Sequence, residues 1–203
     1  MILYLETNFL ISISTGRDPQ ANRLLESTPS SVQLVIPSVC YMESLSALEQ
    51  QQKYSKRFGN ELDLQISQVR RDVTSSQAKS LYALLRESKN QNEQLLKDIE
   101  SRLFQALNQI SSKAEMIELT VDMVQESLNR PFFRTDHTDN LILYSILHHA
   151  RLHPNETKAF LSSNSREFGQ AEVQEALTNA GVVNYFSSTQ NFIVWRQSQS
   201  GEE

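Results

Sequence analysis

One rhythm near the start of the chain constrains the fold more than anything else. A four-residue apolar run, Ile2-Leu3-Tyr4-Leu5, ends on a carboxylate at Glu6, and a helix-like pattern then opens at Phe9-Leu10-Ile11. A short run without polar alternation is the pattern of a strand buried on both faces, as in a parallel sheet covered by helices. The rhythm returns at Val32-Gln33-Leu34-Val35-Ile36, stopped by Pro37 and Ser38, again at Thr157–Ser163, and finally at Val182–Phe186. Met116–Leu119 reads as a short strand or a helix start. Helical patterns separate these runs, so the expected class is α/β, with a mostly parallel sheet and helices on both faces. Five glycines and five prolines in 203 residues are too few for a turn-rich all-β fold.

Local signals place the helix ends. Thr7 or Asn8 can cap the first helix, and Asp18-Pro19 reads as a cap followed by proline at the first helical position. The helix after Ser38 should turn Val39, Tyr41, Met42, Leu45 and Leu48 toward the core, with Glu43 in its first two turns. Val121, Val124 and Leu128 mark a helix ended by Pro131, and Thr138 or Asp139 opens the apolar helix Leu141–Leu147. Gly181 closes a helix over Glu172–Ala180. Phe192, Ile193 and Trp195 pack a last helix before the polar Gln197–Glu203 end.

From about Phe58 to Lys113 the pattern changes to long amphipathic helices with apolar positions at Leu62, Ile66, Val69, Leu81, Leu84, Leu95, Ile99, Leu103 and Ile110. Ser88–Asn92 is the expected turn between them. The region reads as a packed helical insertion in a single domain spanning 1–203. Arg70, Arg71, Lys79, Arg86 and Lys89 offer a second use, gripping a phosphate backbone.

The net charge of −5 argues against a simple nucleic-acid coat, which is usually basic. It is compatible with acids gathered to hold a cation. The single cysteine, Cys40, makes no intrachain disulfide and sits in an apolar setting that suits core better than nucleophile. No apolar run approaches the roughly 18 residues of a membrane span, and the start of the chain lacks a basic leader. The expectation is a cytoplasmic protein with no membrane partner. Neither a glycine-rich phosphate loop nor a dinucleotide fingerprint is present, and His137, His148, His149 and His153 lack cysteines at zinc spacing.

What remains is a set of oxygen donors at strand ends and helix starts. These are Glu6 after the first strand, Glu43 in the helix after the second, Asp136 and Asp139 before a buried helix, and Asn164 after a later strand. Neighbouring parallel strands bring their C-terminal ends to one edge, where open α/β sheets hold ligands. Crowded carboxylates repel unless they are protonated or share a cation. Oxygen-only ligands suit Mg²⁺ or Mn²⁺, ions able to support in-line phosphodiester displacement.

These residues carry a resemblance. Leu5-Glu6-Thr7-Asn8-Phe9-Leu10 resembles the opening motif of PIN-domain nucleases, with Glu6 where the family usually has aspartate. Pro37–Glu43 is similar to the second motif, Thr138–Leu143 to the third, and Phe160–Phe168 to the fourth, with a neutral Asn164 or Ser165 at its acidic position. The resemblance implies a three-layer α/β/α PIN-like fold with an inserted helical hairpin, and a Mg²⁺- or Mn²⁺-dependent endoribonuclease acting on single-stranded RNA, of toxin or RNA-processing type. It implies Glu6, Glu43 and Asp139 as catalytic metal ligands, Asp136 as an additional acid, and Asn164 as a fourth ligand. Asn8, Ser163, Ser165 and Arg166 flank these positions and are the expected substrate contacts. An antitoxin or a second copy of the chain is the expected protein partner. The alternative is a catalytically weakened PIN-like module that binds RNA or a protein.

Overall fold

The computed structural model describes residues 1–200; the last three residues of the polar C-terminal end lie outside the described residues. In chain order the elements are β1 (Ile2–Leu5), α1 (Thr7–Ser14), α2 (Pro19–Glu26), β2 (Gln33–Pro37), α3 (Val39–Val69), α4 (Ser76–Lys113), β3 (Glu115–Ile117), α5 (Val121–Asn129), α6 (His137–Leu152), β4 (Lys158–Leu161), α7 (Ala171–Asn179), β5 (Val182–Phe186) and α8 (Thr189–Ser200).

The five strands form one sheet in the order β3-β2-β1-β4-β5, and every pairing is parallel. Ile2, Leu3, Tyr4 and Leu5 are all buried, as the unbroken apolar run requires. Right-handed crossovers put α1 to α4 on one face, because β1, β2 and β3 advance in one direction. The chain then returns to the other side of β1, so α5, α6 and α7 cover the opposite face. The fold is a three-layer α/β/α sandwich, and α8 returns to pack against α2 and β5. The order reverses between β1 and β4, so the crevice of the sheet lies at their C-terminal ends, beside Glu6 and Ser162.

Several local expectations change. Ser88–Asn92 is no turn: α4 runs through it, and the chain reverses at residues 70–75, where the Asp72 carboxylate accepts from the backbone N–H groups of Thr74 and Ser75. Five polar residues in a row carry no helix-breaking glycine or proline, whereas Asp72 and Ser75 can satisfy turn and cap donors. Met42 is exposed rather than buried. The inward stripe of α3 runs through Cys40, Ser44 and Leu48, and the first two are small enough to let the helix start lie close. The α1 cap is Glu6 itself, extended in backbone and accepting from Asn8 N at 2.6 Å. Asp136 caps α6, accepting from Asp139 N at 3.0 Å. In both places a carboxylate upstream of the expected cap, one residue before Thr7 and two before Thr138, reaches the free N–H first.

Helices α3 and α4 run antiparallel, tied by Asn92 to Ser55 and by Lys89 to Asp63. Ile99, Leu103, Ala106 and Ile110 at the base of α4 belong to the main core, while Leu64, Leu81, Leu84 and Leu95 toward the tip are exposed. Of the cations that sequence offers for phosphate, Lys89 is taken by Asp63 at 2.7 Å and Arg86 lies over the Tyr82 ring. Among the described residues, no helix is long and apolar enough to cross a membrane.

Candidate functional site

Glu6 leaves β1 at the switch point and turns its side chain under α1, where it is almost completely buried. One oxygen, Oε2, caps the helix; the other, Oε1, is buried without any hydrogen-bond partner. Burial is the main cause that pushes its carboxyl up to about 8. The Asn8 N–H and the Ser162 hydroxyl oppose that shift, and the charges of Asp139 and Glu43 add to it. A free buried lone pair on an acid held near neutrality needs either a proton or a cation.

The other acids arrive from three elements. Glu43, on the first turns of α3, is half-buried and accepts a hydrogen bond from Thr7 Oγ1. Its carboxyl is raised by burial, with Asp136 adding to the effect. Asp139, in the first turn of α6, is buried and raised to about 7, by burial first and then by Asp136, Glu43 and Glu167. The α6 N-terminus favours an ionised acid there, yet burial, with the neighbouring acids adding to it, outweighs that effect. Asn164, just past β4, donates from Nδ2 to Asp139 Oδ2 at 3.0 Å, the contact of an orienting residue.

Side chains up to 133 positions apart thus share one electrostatic field: Asp139 and Glu43 bear on Glu6, Asp136 and Glu43 on Asp139, and Asp136 on Glu43. Among the described residues, however, no three His, Cys, Asp or Glu side chains are closed into a ready-made metal cage. The donor set is all oxygen, the chemistry of Mg²⁺ and Mn²⁺, and Glu6 Oε1 is the carboxylate oxygen left buried without a partner.

The expected substrate contacts divide. Asn8 and Ser163 line a cavity of about 480 Å³ that opens beside Glu6. Ser165 is exposed, its backbone carbonyl lying where a Cβ on residue 169 would come within 2.3 Å, so Gly169 is required there. Arg166 is also exposed and pairs loosely with the neighbouring Glu167 at 3.6 Å. Sequence reasoning passed over two residues. Thr7 was read as a helix cap and instead holds Glu43; Glu167, an acid one step before the buried Phe168, bears on Asp139. The signal for Glu167 was its place in the polar stretch that ends the last motif. Of the histidines, His148 pairs with Glu126, and His149 bridges Tyr4 and Glu115 within the fold.

The sequence profile of the PIN domain matches residues 3–168. The chain belongs to the PIN-domain family. Members of this family generally use divalent metal ions, in keeping with the oxygen donors at this edge. Among solved structures, one similar to this chain is the crystal structure of VapBC2 from Rickettsia felis bound to a DNA fragment from their promoter. The similarity covers 83% of this chain and 92% of that one, at 15% identity and a TM-score of 0.40. No curated protein matches the sequence at a significant level.

Proposed function

We propose that this PIN domain is a metal-dependent endoribonuclease acting on single-stranded RNA. The observation that carries the reading is the buried, unpartnered Glu6 Oε1, with the carboxyls of Glu6, Glu43 and Asp139 each raised. Capping α1 uses only Oε2 of Glu6; the buried, unpartnered Oε1 beside other acids costs stability with no structural partner to offset it. Glu6, Glu43 and Asp139 hold the ion, which when bound supplies Lewis-acid polarisation of the phosphoryl group and activation of water. Thr7 keeps Glu43 turned inward, and Asn164 does the same for Asp139. Asp136 engages the Asp139 N–H and keeps the field negative, favouring cation entry. Asn8 and Ser163 line the approach for the strand, and Arg166 is exposed three residues beyond Ser163. In the overall reaction a water oxygen bonds to phosphorus as the bond to the leaving oxygen breaks, and that oxygen takes up a proton.

One observation favours a second reading, a weakened module that binds RNA or a protein partner: the acids do not form a closed cage. A single assay separates the two. Single-stranded RNA is incubated with Mn²⁺ and either the parent chain or Asp139→Asn. The nuclease reading expects cleavage by the parent and a loss of about 100-fold or more in the variant. Absence of cleavage by both would favour the binding module, and undiminished cleavage by the variant would move the active site elsewhere.

A further inference from the structure

Each of the three acids assigned to the ion has one oxygen taken by a fixed donor and one left over. Glu6 Oε2 accepts from the Asn8 N–H at 2.6 Å, Glu43 Oε2 from the Thr7 hydroxyl, and Asp139 Oδ2 from the Asn164 amide at 3.0 Å. Among the described residues no hydrogen bond reaches Glu6 Oε1, Glu43 Oε1 or Asp139 Oδ1. Glu6 is 1% exposed, so its spare oxygen is shut off from bulk water as well as unpartnered. Three acids with one spare oxygen apiece are enough for one octahedral ion that keeps water at its other positions.

A second ion makes a different demand. Paired ions lie about 3.5–4 Å apart, a spacing at which one carboxylate commonly spans both through its two oxygens. The acids left for a second ion are Asp136 and Glu167, and both bear on Asp139. Asp139 is therefore the carboxylate that would have to be shared, through Oδ2, and that oxygen already faces Asn164 Nδ2. The partner fixes which end of the amide points inward, because an ionised carboxylate only accepts. The backbone of Asn164 is held as well: its N–H donates to Ser162 Oγ at 3.1 Å, and the carbonyl of buried Ser162 accepts from the Tyr185 hydroxyl at 2.9 Å. Asp136 spends its own Oδ1 on the cap of α6. We infer that Asn164 limits this site to a single divalent ion, by placing a hydrogen-bond donor on the Asp139 oxygen that a second ion would need. The inference rests on the metal-dependent reading and deepens it, since Asn164 then sets the number of ions as well as orienting Asp139. Asn164→Asp would exchange the donor for an acceptor, release Oδ2 and add the negative charge that a second cation requires.

The test counts ions on the full chain and needs no RNA. Mn²⁺ is titrated into the parent and into Asn164→Asp. Bound ions are counted from the loss of the free-ion EPR signal, and their own spectrum is read for spin coupling. The parent is expected to bind one ion per chain, with an uncoupled spectrum. Asn164→Asp is expected to bind two, coupled because they lie about 4 Å apart. Two ions on the parent, a second ion on the variant that is uncoupled, or a variant that still binds one would each overturn the inference. Should the added acid unfold the metal-free variant, Asn164→Ala removes the donor without adding charge. A second, coupled ion is expected there too, and a count of one would again overturn the inference. Failure of the metal-dependent reading looks different: a parent that binds no Mn²⁺ refutes that reading and the inference together, whereas a parent that binds two refutes the inference alone.

Discussion

The acid-lined crevice and the α3–α4 hairpin are built from similar side chains and use them in opposite ways. In the crevice, Glu6 and Asp139 are buried, no cation among the described residues pairs with either, and their carboxyls are raised to about 8 and about 7. In the hairpin, Asp63 and Lys89 meet at 2.7 Å in the solvent-exposed part of the structure, where such a pair contributes little. Apolar residues show the reverse contrast, for Leu103 at the hairpin base is buried while Leu84 nearer the tip is 64% exposed. Buried acids without a counter-charge gather at one edge of the sheet, whereas the charges of the hairpin are exposed. Cost without structural return is the physical mark of a functional region.

The largest effect that could break this contrast is on activity. Glu43→Gln should lower kcat for RNA cleavage by about 100-fold, while the matching change Asp63→Asn at the hairpin should leave it within about twofold. Similar losses for both would dissolve the distinction. The next effect is on stability. Leu103→Ala should cost about 2–5 kcal/mol in denaturant unfolding, whereas Leu84→Ala should stay within about 0.5 kcal/mol. A large loss at Leu84 would show that the tip is covered in solution, by a second copy or another partner. Light scattering on a chain shortened between residues 58 and 95 would then identify self-association.

The smallest effect sharpens the crevice. Folding raises the Glu6 carboxyl from 4.5 to about 8, so the folded chain holds this proton more tightly than the unfolded chain. Its contribution favours folding below about 4.5 and is lost as pH rises toward about 8. Metal-free Glu6→Gln should therefore be more stable than the parent at alkaline pH, by about 1–3 kcal/mol, and should lose that advantage in acid. Thermal unfolding across pH 4–9, with and without Mn²⁺, provides the check. The ion should stabilise the parent increasingly as pH rises, since it takes the place of the departing proton.

The motifs announced the two carboxylates that matter most to this contrast, Glu6 and Asp139, because each lies next to a sharp local signal, an unbroken buried strand or the start of an apolar helix. The sheet was readable for the same reason. The Ser88–Asn92 turn was misplaced because polarity alone does not break a helix, and Met42 was misplaced because α3 packs through small residues that hydrophobic periodicity undervalues. Thr7 and Glu167 passed unnoticed as partners of Glu43 and Asp139, since the contacts are 36 and 28 positions long and leave no local trace.

The sequence by itself determined that this chain alternates buried strands with helices, where its acids stand relative to those elements, and which family's motifs they echo. Only the tertiary structure decided that one oxygen of Glu6 is left without a partner and that Asn164 meets Asp139 as a donor. Periodicity and caps are short-range properties that a few residues encode. Burial, field and orphaned hydrogen bonds exist only once distant segments have packed.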